Sequence, residues 1–246
     1  MDKPGFEEIK NRIVFKERER TGIGTLSEKT VHAVLKNYYE PDVSKHEVPV
    51  EKYVADIFTG TEIIEIQTRQ FNKMREKLKS FLPLYPVTIV YPIPALKWLI
   101  WVDPVSGRPS EPRKSPKKGN VYDAFIELYR LKMFLKDENI RFRFVLMEME
   151  EYKLLNGWST DRKKGSSRFD RIPVSILEEV DITGIKDYMQ FVPESLSETF
   201  TSKDFAKAAH INVKLARTVL NILKEVEVVR VIGKAEKNSL VYEVSY

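Results

Sequence analysis

The chain has no cysteine among its 246 residues, which excludes a disulfide framework and a thiolate-held metal. It also lacks a long apolar run. A bilayer span needs roughly 20 consecutive apolar residues, and the best candidate, VTIVYPIPALKWLIWV, is interrupted by Pro92, Pro94 and Lys97. The opening segment, MDKPGFEEIKNRIVFKERER, is charged and shows no signal-peptide core. These absences speak against a membrane partner and lean toward the cytoplasm. No internal repeat or strongly low-complexity segment stands out. The histidines, at positions 32, 46 and 210, are too scattered for a metal constellation.

What is present is an ordinary globular balance, 42% hydrophobic and 31% charged. That suits one large domain, or one large and one small, each with a core of its own. The formal charge of +5 permits a polyanionic partner without demanding one.

Residues 1–20 read as a charged helix or extended arm. Thr25 and Glu28 then have capping-box spacing, ahead of a helix with Val31, Val34, Leu35 and Tyr38 on one face. Three short strands follow, His46–Val50, Tyr53–Phe58 and Glu62–Thr68, with Thr59 and Gly60 as a turn. Such short connections favour an antiparallel meander. Residues 71–82 change to helical period through Phe71, Met74, Leu78 and Phe81. Val87–Tyr91 reads as a buried strand, Trp98–Val102 as another. The Pro-, Gly- and Lys-rich segment 104–119 reads as an exposed loop, followed by a helix at 120–136, a strand at 141–147 and a second basic loop at 158–171. Trp98 and Trp101 are three apart and cannot share a strand face. Beyond about residue 176 the pattern changes to short helices and a terminal strand pair.

The chemistry concentrates in YVADIFTGTEIIEIQTRQ, residues 53–70. Residues two apart on a strand share a face, so Glu65 and Gln67 project together. A hairpin brings Asp56 into the same cluster. Two carboxylates and the backbone carbonyl of Ile66 make a hard oxygen site suited to Mg²⁺. Glu28 can join them from the inward face of its helix. His32, one turn later, can lean into the same site, although such a histidine is more often a hydrogen-bonded flank residue.

This order of parts, over roughly residues 25–102, resembles the PD-(D/E)XK nuclease superfamily of restriction endonucleases and junction resolvases. Glu28 matches its helix acid, Asp56 its first motif acid, and Glu65, Ile66 and Gln67 its second motif. The resemblance implies a restriction endonuclease-like α/β core, a mixed central sheet flanked by helices. It implies catalytic roles for Glu28, Asp56, Glu65 and Gln67, with Mg²⁺ or Mn²⁺ held by Asp56, Glu65 and the Ile66 carbonyl. Arg69 and Lys73, just past the motif, are placed to contact phosphate. Gln67 stands where that family usually has lysine, although some members carry glutamine there and remain active; it can hydrogen-bond a water but cannot supply a charge or titrate. Three readings follow: a metal-dependent DNA endonuclease, a non-catalytic DNA-binding regulator on a degenerate nuclease scaffold, or an interaction protein whose C-terminal unit docks a partner and whose acidic cluster is structural.

Residues 199–246 form a second unit. Thr201 or Ser202 caps a helix with Phe205, Ala206 and Ala209. Ile211 and Asn212 turn the chain, and Val213 opens a helix with Leu215, Ala216, Val219, Leu220 and Leu223 at helical spacing. Val228–Ile232 and Leu240–Val244 read as strands. Helix, turn, helix and hairpin resemble a winged helix-turn-helix, completed upstream by a helix near 184–196 with Met189 and Phe191 buried. The resemblance implies DNA as partner, with Lys214 and Arg217 facing the major groove and Lys234 and Lys237 meeting phosphate. The chain thus divides into a nuclease-like domain at 1–175 and a winged helix at 176–246, with room for a homodimer. Lys114, Lys117 and Lys118, and Arg162, Lys163, Lys164, Arg168 and Arg171, crowd the two basic loops. There they either follow a phosphate backbone or keep the loops solvated.

Overall fold

The computed structural model describes residues 5–21, 29–158, 164–235 and 238–245. Two helices, α1 (Phe6–Thr21) and α2 (Lys29–Tyr39), precede the strands β1 (His46–Val50), β2 (Tyr53–Phe58) and β3 (Ile63–Ile66). Next come α3 (Arg75–Phe81), the long β4 (Val87–Val102) and the two-residue β5 (Arg113–Lys114). The short α4 (Phe125–Leu128) leads into a pair of long strands, β6 (Ile140–Trp158) and β7 (Lys164–Ile182). The chain finishes with β8 (Thr199–Thr201), α5 (Ser202–Ala208), α6 (Val213–Glu225), β9 (Val229–Lys234) and β10 (Leu240–Val244).

The main sheet has the order β1-β2-β3-β4-β6-β7, with β5 alongside β4. It is mixed: β1–β2, β2–β3 and β6–β7 are antiparallel, whereas β3–β4 and β4–β6 are parallel. Central parallel strands bury both faces and so read as continuous apolar runs. β4 obeys this rule: Val87 and Ile89 face one core, Val90 the other. On one side, Val31 and Leu35 of α2 pack on Ile57, Ile66, Val90 and Val145, and α1 adds Ile9 and Ile13 against Val34. On the other, Leu78 and Phe81 of α3 and Phe125 of α4 join a larger core that runs on into Phe205, Leu220 and Leu223. Helices therefore flank the sheet on both faces.

The first half follows the sequence reading closely: the bounds of β1 and β2 agree, and Phe71, Met74, Leu78 and Phe81 are all buried. Further on there are corrections. The two strands expected at 87–91 and 98–102 are one, β4, with a register irregularity between Pro94 and Leu96. The helix expected at 120–136 is a short α4 between 3-10 turns, broken at Leu131 (φ −109°, ψ 17°). The loop expected at 158–171 is β7 from Lys164 onward. Its charged residues conceal the strand because they are paired: Arg171 donates to Glu151 at 3.2 Å, and Thr30 donates to buried Asp170 at 2.7 Å. A division at residue 176 falls inside β7, whose ladder with β6 continues to Ile182.

After β7 the second, three-stranded sheet has the order β8-β10-β9. Thr201 caps α5 in a capping box with Asp204, and Asn212 caps α6 by accepting from the Leu215 N–H at 2.9 Å. The upstream helix is a 3-10 turn, Ile185–Phe191, with Phe191 buried but Met189 38% exposed. This unit is fastened to the main body by aromatics. Phe191 packs edge-on to Phe125 (5.0 Å between centroids), and Tyr122 packs against Phe205 (6.1 Å). The Tyr122 hydroxyl donates to the Phe191 carbonyl at 3.1 Å.

Candidate functional site

β2 and β3 pair at only two positions, Ile57 with Ile64 and Phe58 with Ile63. Beyond them the strands part, leaving backbone N–H groups that need acceptors. Two carboxylates supply these. Asp56 Oδ2 accepts from the Ile66 N–H at 2.8 Å, and Glu65 Oε1 accepts from the Asp56 N–H at 3.3 Å. The acids read from sequence as one cluster are thus brought together, each bound to the strand that carries the other. Nothing among the described residues bonds Asp56 Oδ1.

Two side chains, His32 and Lys77, close the cluster from opposite faces. His32 Nε2 on α2 lies 3.0 Å from Asp56 Oδ2, so the histidine does lean into the site. Lys77 on α3 donates to Glu65 Oε2 at 2.6 Å. Glu65 is 4% exposed, and burial together with the neighbouring Asp56 carboxylate pushes its pKa up to about 7, against the pull of Lys77. Burial also acts to raise Asp56, but the His32 bond and charge, the Ile66 N–H and Lys77 outweigh it and hold the group below its usual range. The two acids are thus pushed in opposite directions, Glu65 upward chiefly by burial and Asp56 downward by its hydrogen-bonding and charged neighbours.

The sequence reading does not single out Lys77. Its signal there is a lysine inside the stripe Met74, Leu78, Phe81, where an inward helix face should be apolar. Gln67 lies just past β3. Its N–H donates to the Val90 carbonyl at 2.9 Å, and its side-chain amide turns to the Arg69 carbonyl. Gln70 follows with φ 58°, which turns the chain into the 3-10 segment 71–74. Arg69 and Lys73 are exposed. Glu28 and Lys237 lie outside the described residues, as do Thr25, Arg162 and Lys163. Among the described residues no group of three or more His, Cys, Asp or Glu is arranged to hold a metal ion. Asp56 and Glu65 are therefore a pair of carboxylates rather than a complete ligand cage.

On α6, Lys214 and Arg217 are exposed, as the sequence reading expects, while Leu215, Ala216, Val219 and Leu220 are buried. Lys234 is exposed at the end of β9. Among the described residues no helix is long and apolar enough to cross a membrane, and the most apolar run is the sheet strand β4.

The chain is 28% identical over 193 residues to a Treponema pallidum (strain Nichols) protein named "Uncharacterized protein", covering 75% of this chain and 74% of that one. No solved structure matches it. Residues 29–183, which run from the start of α2 to the end of β7 and include Asp56, Glu65 and Lys77, match the family described as "Domain of unknown function (DUF8091)", and the chain belongs to that family.

Proposed function

We propose that this chain is a metal-dependent DNA endonuclease of the PD-(D/E)XK type, acting in the cytoplasm and directed to DNA by a C-terminal winged helix. The observation that carries the reading is the meeting of the Asp56 and Glu65 carboxylates where β2 and β3 part, with Lys77 bonded to Glu65. The site chemistry fits Mg²⁺ or Mn²⁺. Hard oxygens are what these ions select, Asp56 Oδ1 is open among the described residues, and the two carboxylates lie close enough for Asp56 to help raise the Glu65 pKa, after burial. Asp56, Glu65 and the Ile66 carbonyl would hold the ion, with Glu28 as a further candidate from the helix before it. A bound ion supplies Lewis-acid polarisation of phosphate and a more acidic water.

The chain's own side chains do the rest. His32 fixes the orientation of Asp56. Lys77 brings the fixed cation that Gln67 cannot, and stands ready to hold a phosphate oxygen or a water as charge develops. The order α5, turn, α6 and β9–β10 hairpin, with Lys214, Arg217 and Lys234 outward, supports a winged helix set against DNA.

Supercoiled plasmid incubated with purified chain and Mg²⁺ or Mn²⁺ tests the reading. Wild type should nick or cut, and Asp56→Asn or Glu65→Gln should be slower by at least roughly 10²-fold, since even supporting-shell changes at metal sites cost up to that much. Equal cleavage by all three proteins would refute the assignment. Gln67 favours a second reading, a non-catalytic DNA-binding regulator, which would be supported by metal-independent binding without cleavage.

A further inference from the structure

A second charged cluster lies further along the sheet from Glu65. Glu151 of β6 is 3% exposed, and four cations converge on its carboxylate. Lys97 and Arg171 reach Oε2 at 3.2 Å, Arg168 reaches it at 3.5 Å, and Lys153 stands 3.8 Å from Oε1. One carboxylate cannot neutralise Lys97, Lys153 and Arg171 together. Burial first, and then the charges of Arg171 and Arg168, hold the Lys97 pKa below its usual range although Glu151 pulls the other way. Two further acids line the cavity beside this cluster, and each is already hydrogen-bonded. Asp123 caps the 3-10 turn after Asn120, and Glu127 accepts from the Phe71 N–H at 2.9 Å and pairs with Arg130.

The cations outnumber the acids around this cavity of about 340 Å³, lined by Lys97, Lys117, Arg168 and Arg171 with Asp123 and Glu127. Its outer wall is fixed in place. The segment 113–119 is clipped to β4 by the β5 pairing, by the Ser115 N–H on the Lys97 carbonyl (2.8 Å) and by the Gly119 N–H on the Pro94 carbonyl (3.1 Å). The last approach is so close that a Cβ on Gly119 would stand 2.7 Å from the Pro94 oxygen. Lys117 is thereby held beside the strand.

The cavity adjoins the carboxylate site. Glu65 sits opposite Ile89 in the β3–β4 ladder, and Tyr91 and Thr68 already line the cavity. Tyr91 is two residues past Ile89, about 7 Å at about 3.3 Å per residue. The geometry points to a phosphate pocket, formed by Lys97, Lys117, Arg168 and Arg171 around Glu151, that takes a backbone phosphate of the DNA whose scissile bond lies at Asp56 and Glu65. This inference rests on the nucleic-acid reading above. Guanidinium and ammonium groups crowded on one wall suit an anion with several oxygens. The open side, with Arg168 at 44% side-chain exposure, suits a phosphate on a continuing strand.

The test is binding of a short fluorescent DNA duplex, followed by anisotropy across a salt series in EDTA so that hydrolysis plays no part. The double variant Lys117→Gln, Arg168→Gln should flatten the slope of log K against log salt by about 0.9 for each phosphate that is no longer neutralised, with roughly tenfold weaker binding at low salt and an unchanged melting temperature. Glu151→Gln should change affinity the other way, tightening binding several-fold, which removal of a merely structural ion pair would not do. An unaltered slope in the folded double variant would overturn the inference. So would stabilisation of wild type, but not of the double variant, by inorganic phosphate with DNA binding unaffected, since the pocket would then serve a free phosphate compound. Wild type that binds DNA without ever cutting it would remove the nuclease reading and leave the pocket standing. Wild type that fails to bind DNA at low salt would remove both.

Discussion

The ammonium of Lys77 lies 2.6 Å from Glu65 Oε2, twelve residues earlier in the chain. It is the cation nearest the buried acid, and it also stands 5.6 Å from the centroid of the Phe81 ring. Lys77→Met keeps the aliphatic stem and removes the charge. It should lower nuclease activity by roughly 10²–10³-fold, the decrease expected for one charge-stabilising donor. It should also destabilise the fold by about 1.5–3 kcal/mol, the range for a hydrogen bond to a charged group. Plasmid nicking and urea melts read the two effects separately, and Lys77→Arg should recover part of the stability.

Ion binding should depend on pH through Glu65. Its folded-state pKa lies above its ordinary value of 4.5, at about 7. Its contribution to stability is therefore present below the ordinary value and lost as pH rises through about 7, where the buried group must ionise. Asp56 is shifted the other way, so its contribution is lost only as pH falls through its depressed value. A divalent cation favours ionised Glu65 and releases its proton. The melting-temperature gain from Mn²⁺ should thus be larger at about pH 8 than at about pH 5.5, with affinity rising by up to about tenfold per pH unit between. Calorimetry in buffers of different ionisation enthalpy should find close to one proton released at the lower pH, and no proton release would contradict the shift.

On α6 the exposed pair Lys214 and Arg217 can be removed without disturbing the core. Lys214→Ala with Arg217→Ala should leave the folding stability within about 0.5 kcal/mol of wild type, as for ordinary surface changes. DNA affinity should fall, with a salt slope smaller by about 0.9 per phosphate released. Unchanged affinity would assign α6 to another task.

The aromatic junction between the two sheets predicts joint unfolding. Phe191 is 2% exposed and touches Phe125, Phe144 and Tyr188. Phe191→Ala should cost about 3–5 kcal/mol, as for other buried aromatic truncations. Wild type should melt in one transition reported alike by near- and far-UV dichroism. Two separated transitions would show that the C-terminal unit folds by itself.

The parts of the fold set by local pattern are legible in the sequence. The apolar stripe of α3, a cap at Thr201 or Ser202, the turn at Ile211 and Asn212 and the bounds of β2 all follow from spacing and turn chemistry. What stays hidden is long-range. Pro92 and Pro94 make β4 look broken, because proline in a strand normally argues against it, yet the ladder to β6 continues past them to Val102. β6 looks shorter than it is and β7 reads as a loop because their charged residues find partners across the sheet, as when Arg171 donates to Glu151 at 3.2 Å. Within the site, the spacing of Asp56 and Glu65 reveals the acids. No local rule links Glu65 to Lys77, which reaches it from the helix twelve residues on.

The crossed bonds between Asp56 and Glu65 carry a consequence for the ancestry of the site. Each acid fills a gap in the backbone ladder, so a relative without any hydrolytic activity would still need an acceptor at both places. Survival of the carboxylates in a relative is therefore no certificate of chemistry. Amide isosteres, which keep the acceptor and discard the charge, separate architecture from reactivity.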